Sequence, residues 1–388
     1  MSVFRDRGKL SSKYVPERLP HRDAQLAQLR EFFRDLAEGR PYFKVIQLIG
    51  HVGAGKTSSV LLFSREAASR MPGVRFIYVN LRALSEPSPF LVYSTLLTKI
   101  GGRYSRSLSA GEVFLRFVRK LRGKGSYVIV MDEADELSGS RSLRGGRIVY
   151  NLTRLPELGA ENVGGVVFVS RRRDWQNSLA AEERSSLGSL IIYYPRYSRS
   201  QIVDILRYRA SEAFREGAVA DEVLEYVADL CVNYLDSDLR KALDVLLYAG
   251  IAADMDGSGK VDFSHVAKAL RNVLDYQFVS ADVYSSLTLH EKITLYSVVL
   301  ALENSSTGYA ELSRVKEYAE MIYEAFSLPR PRGAGIEVAL QKLYDLGLVG
   351  MNGPLKLIIP VELDVARLKK EIWSAVENRR AAYSPRRR

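Results

Sequence analysis

Between residues 43 and 195, short β-rich apolar runs alternate with stretches of helical character. The runs are FKVIQLIG (43–50), RFIYVN (75–80), SYVIVMD (126–132), GGVVFVS (164–170) and SLIIYYP (189–195). Each is bounded by Gly, Pro or charged residues, and the chain between them is long enough for crossover helices. The pattern predicts a parallel sheet with helices on both faces. From 198 to 274 the period becomes helical, giving four amphipathic helices, several opening on Ser or Asp as N-cap. Residues 275–288 read as a connector. Helices follow near 289–303, 309–326 and 335–346, then the β-type segment LVGMNGPLKLIIP, broken by Asn352-Gly353-Pro354. Three helices and a hairpin make a winged-helix pattern whose third helix is the potential groove reader. The expected boundaries are a base over 1–197, a helical lid over 198–276 and a winged-helix domain over 277–388.

The chain has 388 residues, 47% of them hydrophobic, which excludes wholesale disorder. A lone cysteine, Cys231, rules out an internal disulfide or a thiolate cluster. With no signal-like apolar start and no run of about 18 apolar residues, a soluble, cytoplasmic protein without membrane contact is expected. The net charge of +11 is uneven: residues 1–125 carry 23 basic and 9 acidic side chains, whereas 126–288 carry 18 and 24. Within 99–124, Lys99, Arg103, Arg106, Arg116, Arg119, Lys120, Arg122 and Lys124 face Glu112 alone. Such a field attracts polyanions such as nucleic acid. A solvated helix face accounts for the same residues, and charge alone does not choose between the two.

Gly50-His51-Val52-Gly53-Ala54-Gly55-Lys56-Thr57 matches G-x-x-x-x-G-K-[ST] directly after an apolar run and before a helical one. Such a loop wraps backbone N–H groups around phosphates at a helix N-terminus. The nucleotide contacts expected here are Gly53, Ala54, Gly55, Lys56, Thr57 and Ser58, with Lys56 on the β- and γ-phosphates and the Thr57 hydroxyl on Mg²⁺. The run VIVMDE brings Asp132 to the sheet's C-terminal edge, where it can hold the Mg²⁺ hydration shell, and Glu133 can polarise an attacking water. ATP or ADP with Mg²⁺ is therefore the expected ligand.

A phosphate loop, a strand ending in Asp-Glu, a helical lid and a terminal winged helix together resemble the archaeal AAA+ replication initiators. These are relatives of the origin recognition complex's largest subunit and of the cell-division-control helicase loader. Tyr14-Val15-Pro16-Glu17 and Leu19-Pro20-His21-Arg22 look like the family's N-terminal segment against the adenine, so the resemblance places Tyr14, Val15 and Pro16 there. Asp132-Glu133-Ala134-Asp135 is similar to its strand end, and the stretch from Ser185 through Tyr194-Pro195-Arg196-Tyr197 to Leu206 to its passage into the lid. Ser237–Asp244 resembles the lid helix carrying the second sensor. The resemblance implies that Arg240 touches the γ-phosphate and that Tyr197 and Arg209 contact the nucleotide at the hinge. The family's usual first-sensor Asn is replaced: here Ser170 precedes Arg171-Arg172-Arg173, leaving Ser170 to orient water or Arg171 to approach the phosphate. Arg184 is a candidate arginine finger for a neighbouring subunit. It reads equally as a surface residue.

Because family members grip DNA with an extra helical element between their second and third strands, the resemblance assigns duplex DNA to Arg103, Arg106, Arg116, Arg119 and Lys120. In the C-terminal module Arg330, Arg332, Gln341 and Lys342 lie on or beside the third helix and Lys356 on the wing. These are DNA candidates by analogy of fold, against the alternative of a protein-binding winged helix. Residues 254–265 imitate a calcium loop. His265, however, stands where a bidentate Glu belongs, so the segment is expected to be a polar turn. The resemblance as a whole implies an ATP-dependent, nucleoid-associated initiator. It would bind duplex DNA at replication origins, act with other initiator subunits and recruit or load the replicative helicase, with weak ATPase activity as its switch. The alternatives are a nucleotide-gated transcription regulator and a clamp-loader-like, protein-remodelling ATPase.

Overall fold

The five apolar runs become five parallel strands: β1 (Lys44–Gly50), β2 (Val74–Asn80), β3 (Ser126–Asp132), β4 (Val163–Ser170) and β5 (Leu190–Tyr194), in the order β2-β3-β4-β1-β5. The structure is a computed structural model and describes residues 2–40, 42–84, 87–123, 125–139, 147–273, 286–305, 307–329, 331, 333–352, 356–358 and 365–383. The chain divides into two compact units, Val15–Arg196 and a unit that joins Met1–Tyr14 to Tyr197–Arg388.

In the first unit, alternate strand residues serve opposite faces of the sheet. Val128 and Val130 of β3 pack with α1 (Asp23–Phe32), α2 (Arg34–Ala37) and α3 (Lys56–Arg70). Ile129 and Met131 pack with α4 (Pro89–Lys99), α5 (Ala110–Leu121), α6 (Glu136–Gly139) and α7 (Ile148–Thr153). A short α8 (Ala181–Ser186) precedes β5. With apolar layers on both sides, a buried parallel strand reads as a continuous hydrophobic run, which is why these strands are legible in the sequence. The order places the C-terminal end of β4 between those of β3 and β1, with Asp132 opposite Val169 and Ser170 opposite Ile49.

The second unit contains the lid helices α9 (Arg199–Ala213), α10 (Asp221–Tyr234), α11 (Leu239–Asp256) and α12 (Phe263–Val273). Residues 2–14 pack within this unit. The Phe4 ring stacks on Phe214 at 4.8 Å, and Val3, Phe4 and Leu10 are buried in the lid core. The C-terminal part holds α13 (Leu289–Glu303), α14 (Leu312–Ala325), α15 (Gly335–Asp345) and a small antiparallel sheet. Its strands β6 (Ala310–Glu311), β7 (Gly350–Asn352) and β8 (Lys356–Ile358) run in the order β6-β8-β7. Two elements differ from the sequence expectation. Residues 310–311 form a strand rather than the start of a helix, and α16 (Val365–Tyr383) follows the small sheet, burying Leu368, Ile372 and Val376. No helix among the described residues is long and apolar enough to cross a membrane.

Candidate functional site

The loop after β1 is shaped by two glycines. At Gly50 a Cβ would lie 2.2 Å from the Tyr194 carbonyl oxygen, so β5 can run alongside only if the side chain is absent. Gly55, at φ 88°, is the left-handed N-cap of α3, a conformation other residues adopt only under strain. Lys56 is 8% exposed and donates to the carbonyls of Gly50 and His51, the latter at 2.8 Å. Arg22, which the sequence places only in an N-terminal segment, is 1% exposed and staples the loop. Its Nε donates to Ala54 O and its Nη2 to Pro195 O, both at 2.8 Å. The first amides of α3 are thereby presented as an anion site with a fixed frame.

Asp132, buried at the end of β3, gathers three donors. The Thr57 hydroxyl reaches its Oδ2 at 2.8 Å, the Tyr78 hydroxyl reaches the same oxygen at 2.6 Å, and the Glu133 amide reaches Oδ1 at 2.9 Å. Burial, then the Asp132 charge, pushes the Tyr78 phenol well above its ordinary value, so it remains a donor. The sequence alone does not reveal Tyr78, because it precedes Asp132 by 54 residues and lies inside an apolar run. Ser170 is 2% exposed, and its hydroxyl has no hydrogen-bond partner among the described residues. A buried orphan hydroxyl is costly to maintain and here lies at the same strand edge.

Glu133 adopts φ 56°, a left-handed conformation that costs a non-glycine residue about 1 kcal/mol or more and clusters at functional positions. Its Oε2 is held by Arg171, through Nε at 3.0 Å and Nη2 at 2.8 Å, and the Arg171 amide donates to Asp135 at 2.9 Å. Asp-Glu-Ala-Asp at the end of β3 and the arginine that follows Ser170 thus form one cluster. Arg184 is exposed on α8.

Residues 43–171 match the family model described as an AAA domain, and residues 203–271 match the Cdc6 AAA+ ATPase-type lid domain. The ORC1-type DNA replication protein 1 of Aeropyrum pernix is 34% identical over 380 residues, spanning 95% of this chain and 94% of the relative. The chain belongs to the archaeal ORC1-type DNA replication proteins. Among solved structures, the crystal structure of Cdc6p from Pyrobaculum aerophilum matches with a TM-score of 0.83 at 25% identity, covering 97% of this chain and all of that one. The Aeropyrum pernix ORC1 protein in complex with DNA matches with a TM-score of 0.62 at 29% identity, over 97% and 98%. The AAA+ fold with its Cdc6-type lid, and a role in replication initiation, follow from this membership.

The remaining ORC1-type candidates fall on both units. Pro16 is buried, and Val15 packs against the core beneath α1 and α3. In the other unit, Lys9 Nζ donates to the Tyr14 hydroxyl at 2.7 Å, and the Arg209 guanidinium lies 5.0 Å from the Tyr14 ring. Arg209 is 5% exposed and donates to the Lys9 carbonyl at 2.9 Å and the Ser11 carbonyl at 3.3 Å. It therefore ties residues 9–14 to α9, and burial lowers its pKa. Tyr197 is buried in the lid core. Arg240 begins α11 and pairs with the N-cap Asp238, Nη2 to Oδ2 at 2.9 Å.

Two helices, α4 and α5, lie between β2 and β3. Helix α5 buries Val113, Phe114, Phe117, Val118 and Leu121 while Arg116, Arg119 and Lys120 are exposed, as are Arg103 and Arg106 in the preceding loop. Glu112, the one carboxylate of this stretch, is spent on the α5 capping box with Ser109, whose hydrogen bonds lower its pKa. No ion pair is found for Arg103, Arg106, Arg116, Arg119 or Lys120 among the described residues. In the C-terminal module Lys342 is paired with Glu291 at 2.8 Å, and Gln341 donates to Asp345 at 2.9 Å. Lys356 lies in β8, its side chain outside the described residues, as are Arg330 and Arg332.

The calcium-like segment is not a loop at its start, because α11 runs through Asp256 and ends on left-handed Gly257. Its carboxylates are engaged elsewhere. Asp254 accepts from Ser2 Oγ and the Val3 amide at 2.6 Å, Asp256 pairs with Lys268 at 2.6 Å, and Asp262 caps Ser264 and His265. Millimolar calcium is expected to leave the melting temperature unchanged in a thermal scan. A marked rise would contradict this assignment.

Proposed function

We propose that this ORC1-type protein is an ATP-controlled initiator that grips duplex DNA at replication origins. The observation that carries the nucleotide site is the convergence of Thr57, Asp132 and Tyr78 beside a phosphate loop closed by Lys56. A hydroxyl and a carboxylate oxygen side by side form the hard-oxygen donor set that suits Mg²⁺, and the orphan Ser170 hydroxyl supplies one more polar atom at that edge. Thr57 would take the metal directly and Asp132 its hydration shell. When bound, Mg²⁺ neutralises charge on the β- and γ-phosphates. Lys56 and the α3 amides bind phosphate, Asp132 orients the Thr57 hydroxyl, and Glu133 draws a proton from an attacking water held near Ser170. Gly53, Ala54, Gly55 and Ser58 line the phosphates. Tyr14, Val15 and Pro16 serve the adenine, Tyr197 and Arg209 the hinge, and Arg240 the γ-phosphate, in each case as the family resemblance implies. Arg184 would act as a finger in trans. Hydrolysis serves as a slow switch, because the Glu133 carboxylate is already forked by Arg171.

DNA binding is supported by the family relative of Aeropyrum pernix, solved in complex with DNA, and by the exposed cations around α5 with their lone acid consumed in a cap. Arg103, Arg106, Arg116, Arg119 and Lys120 hold the phosphate backbone, joined by Arg330, Arg332, Lys342 and Lys356 of the C-terminal module. Changing Arg103, Arg106, Arg116 and Arg119 to Ala is expected to reduce the slope of log affinity against log salt by roughly 0.9 for each DNA phosphate no longer neutralised. An unaltered slope in a salt titration would make those residues a solvated face. Recruitment of the replicative helicase and association with other initiator subunits complete the proposal. They rest on the family resemblance.

A further inference from the structure

One residue beyond the connector sits in the core of the lid. Tyr309 directly precedes β6, a strand of the C-terminal sheet, yet it is 7% exposed within the lid cluster, its ring edge-on to Tyr226 at 5.3 Å. Its hydroxyl donates to Asp229 of α10. Asp229 is 2% exposed and also accepts from the Arg199 guanidinium, with Nη2 at 3.0 Å, and from Asn352 Nδ2 at 2.9 Å. Arg199 opens the first lid helix, Asn352 lies on β7, and Tyr309 stands at the edge of β6. Among the described residues, the buried carboxylate thus takes one side-chain partner from the lid and two from the C-terminal module.

A buried charge is tolerated only where its hydrogen bonds are complete, and removing one partner costs far more than the pair contributes. Any turn of the module against the lid would strip Asp229 of two donors and pull an aromatic ring out of a packed core. The Arg199–Asp229 pair, by contrast, lies wholly within the lid. We propose that Asp229 is a positioning residue that seats the C-terminal module on the lid, so that the two move as one body and β7 keeps its direction relative to α9 and α10. Where the lid responds to nucleotide, which rests on the function proposed above, the same junction re-aims the module on DNA.

The test uses the full chain with Met255→Cys on α11 and Met321→Cys on α14, both well exposed, carrying a spin label each. Cys231 is buried, and desolvation pushes its thiol up to about 12, so it does not compete for label. Electron–electron distance measurements should give a single narrow distribution in this parent. Tyr309→Phe with Asn352→Ala removes both donors of the module but leaves Arg199 on Asp229, so the lid stays intact by circular dichroism while the narrow peak is lost. Should the double variant fold poorly, Asn352→Ala alone is read in the same way. A variant as narrow as the parent, or a parent already broad, overturns the clamp. As a second reading, the ratio of DNA affinities in ATP and ADP should fall toward one in the variant. A parent that binds no nucleotide overturns the function proposed above, while the distance measurement still decides the clamp.

Discussion

Lys56→Ala is expected to weaken ATP and ADP binding by roughly 100-fold, the equivalent of one or two charge-assisted hydrogen bonds to phosphate. The lysine is buried against the carbonyls of Gly50 and His51, so its ammonium is already placed at the mouth of the loop. Arg22 holds Ala54 and Pro195 independently. The variant should therefore keep its fold and its melting temperature. Isothermal titration with ATP and a thermal scan check both halves of this expectation. Unchanged affinity would refute the assignment of the loop, and collapse of the fold would assign Lys56 a structural role instead.

The second large effect concerns Glu133. Glu133→Gln is expected to lower ATP turnover by about 10²–10⁴-fold, the usual worth of a positioned general base, with nucleotide affinity retained. The Arg171 fork on Oε2 partly neutralises that carboxylate and fixes where it points. Arg171→Ala should therefore raise turnover, by roughly tenfold if the restraint is worth one hydrogen bond to a charged group, and should do nothing in the Glu133→Gln background. Single-turnover hydrolysis measured alongside nucleotide affinity separates the two steps. A fall in turnover for Arg171→Ala would make the arginine an aid to catalysis rather than a restraint.

Much of the base is readable without its structure because each signal is local. The five strands fall within about a residue of the apolar runs, and in the inner strands β3, β4 and β1 burial on both faces leaves little polar alternation to blur them. The phosphate loop and Asp132-Glu133 carry their chemistry in adjacent letters. What stays hidden is non-local. Tyr78 sits in an apolar run and shows its hydroxyl's purpose only when β2 lies beside β3. Arg171 reaches Glu133 across 38 positions, and Arg22 reaches Pro195 across 173. Residues 2–14 carry no periodic pattern of their own and take their place from Phe214 and Arg209. Helix α16, by contrast, carries a local signal, with Leu368, Ile372 and Val376 at helical spacing.

In the function proposed above, nucleotide binding at this loop controls attachment to replication origins. Genome-wide footprinting of the protein on its own chromosome, wild type against Lys56→Ala, tests it most directly. Wild-type protein is expected to be enriched at a few replication start sites, with that enrichment weakened or redistributed in the variant. Enrichment across many promoters, or identical footprints for the two proteins, would contradict it.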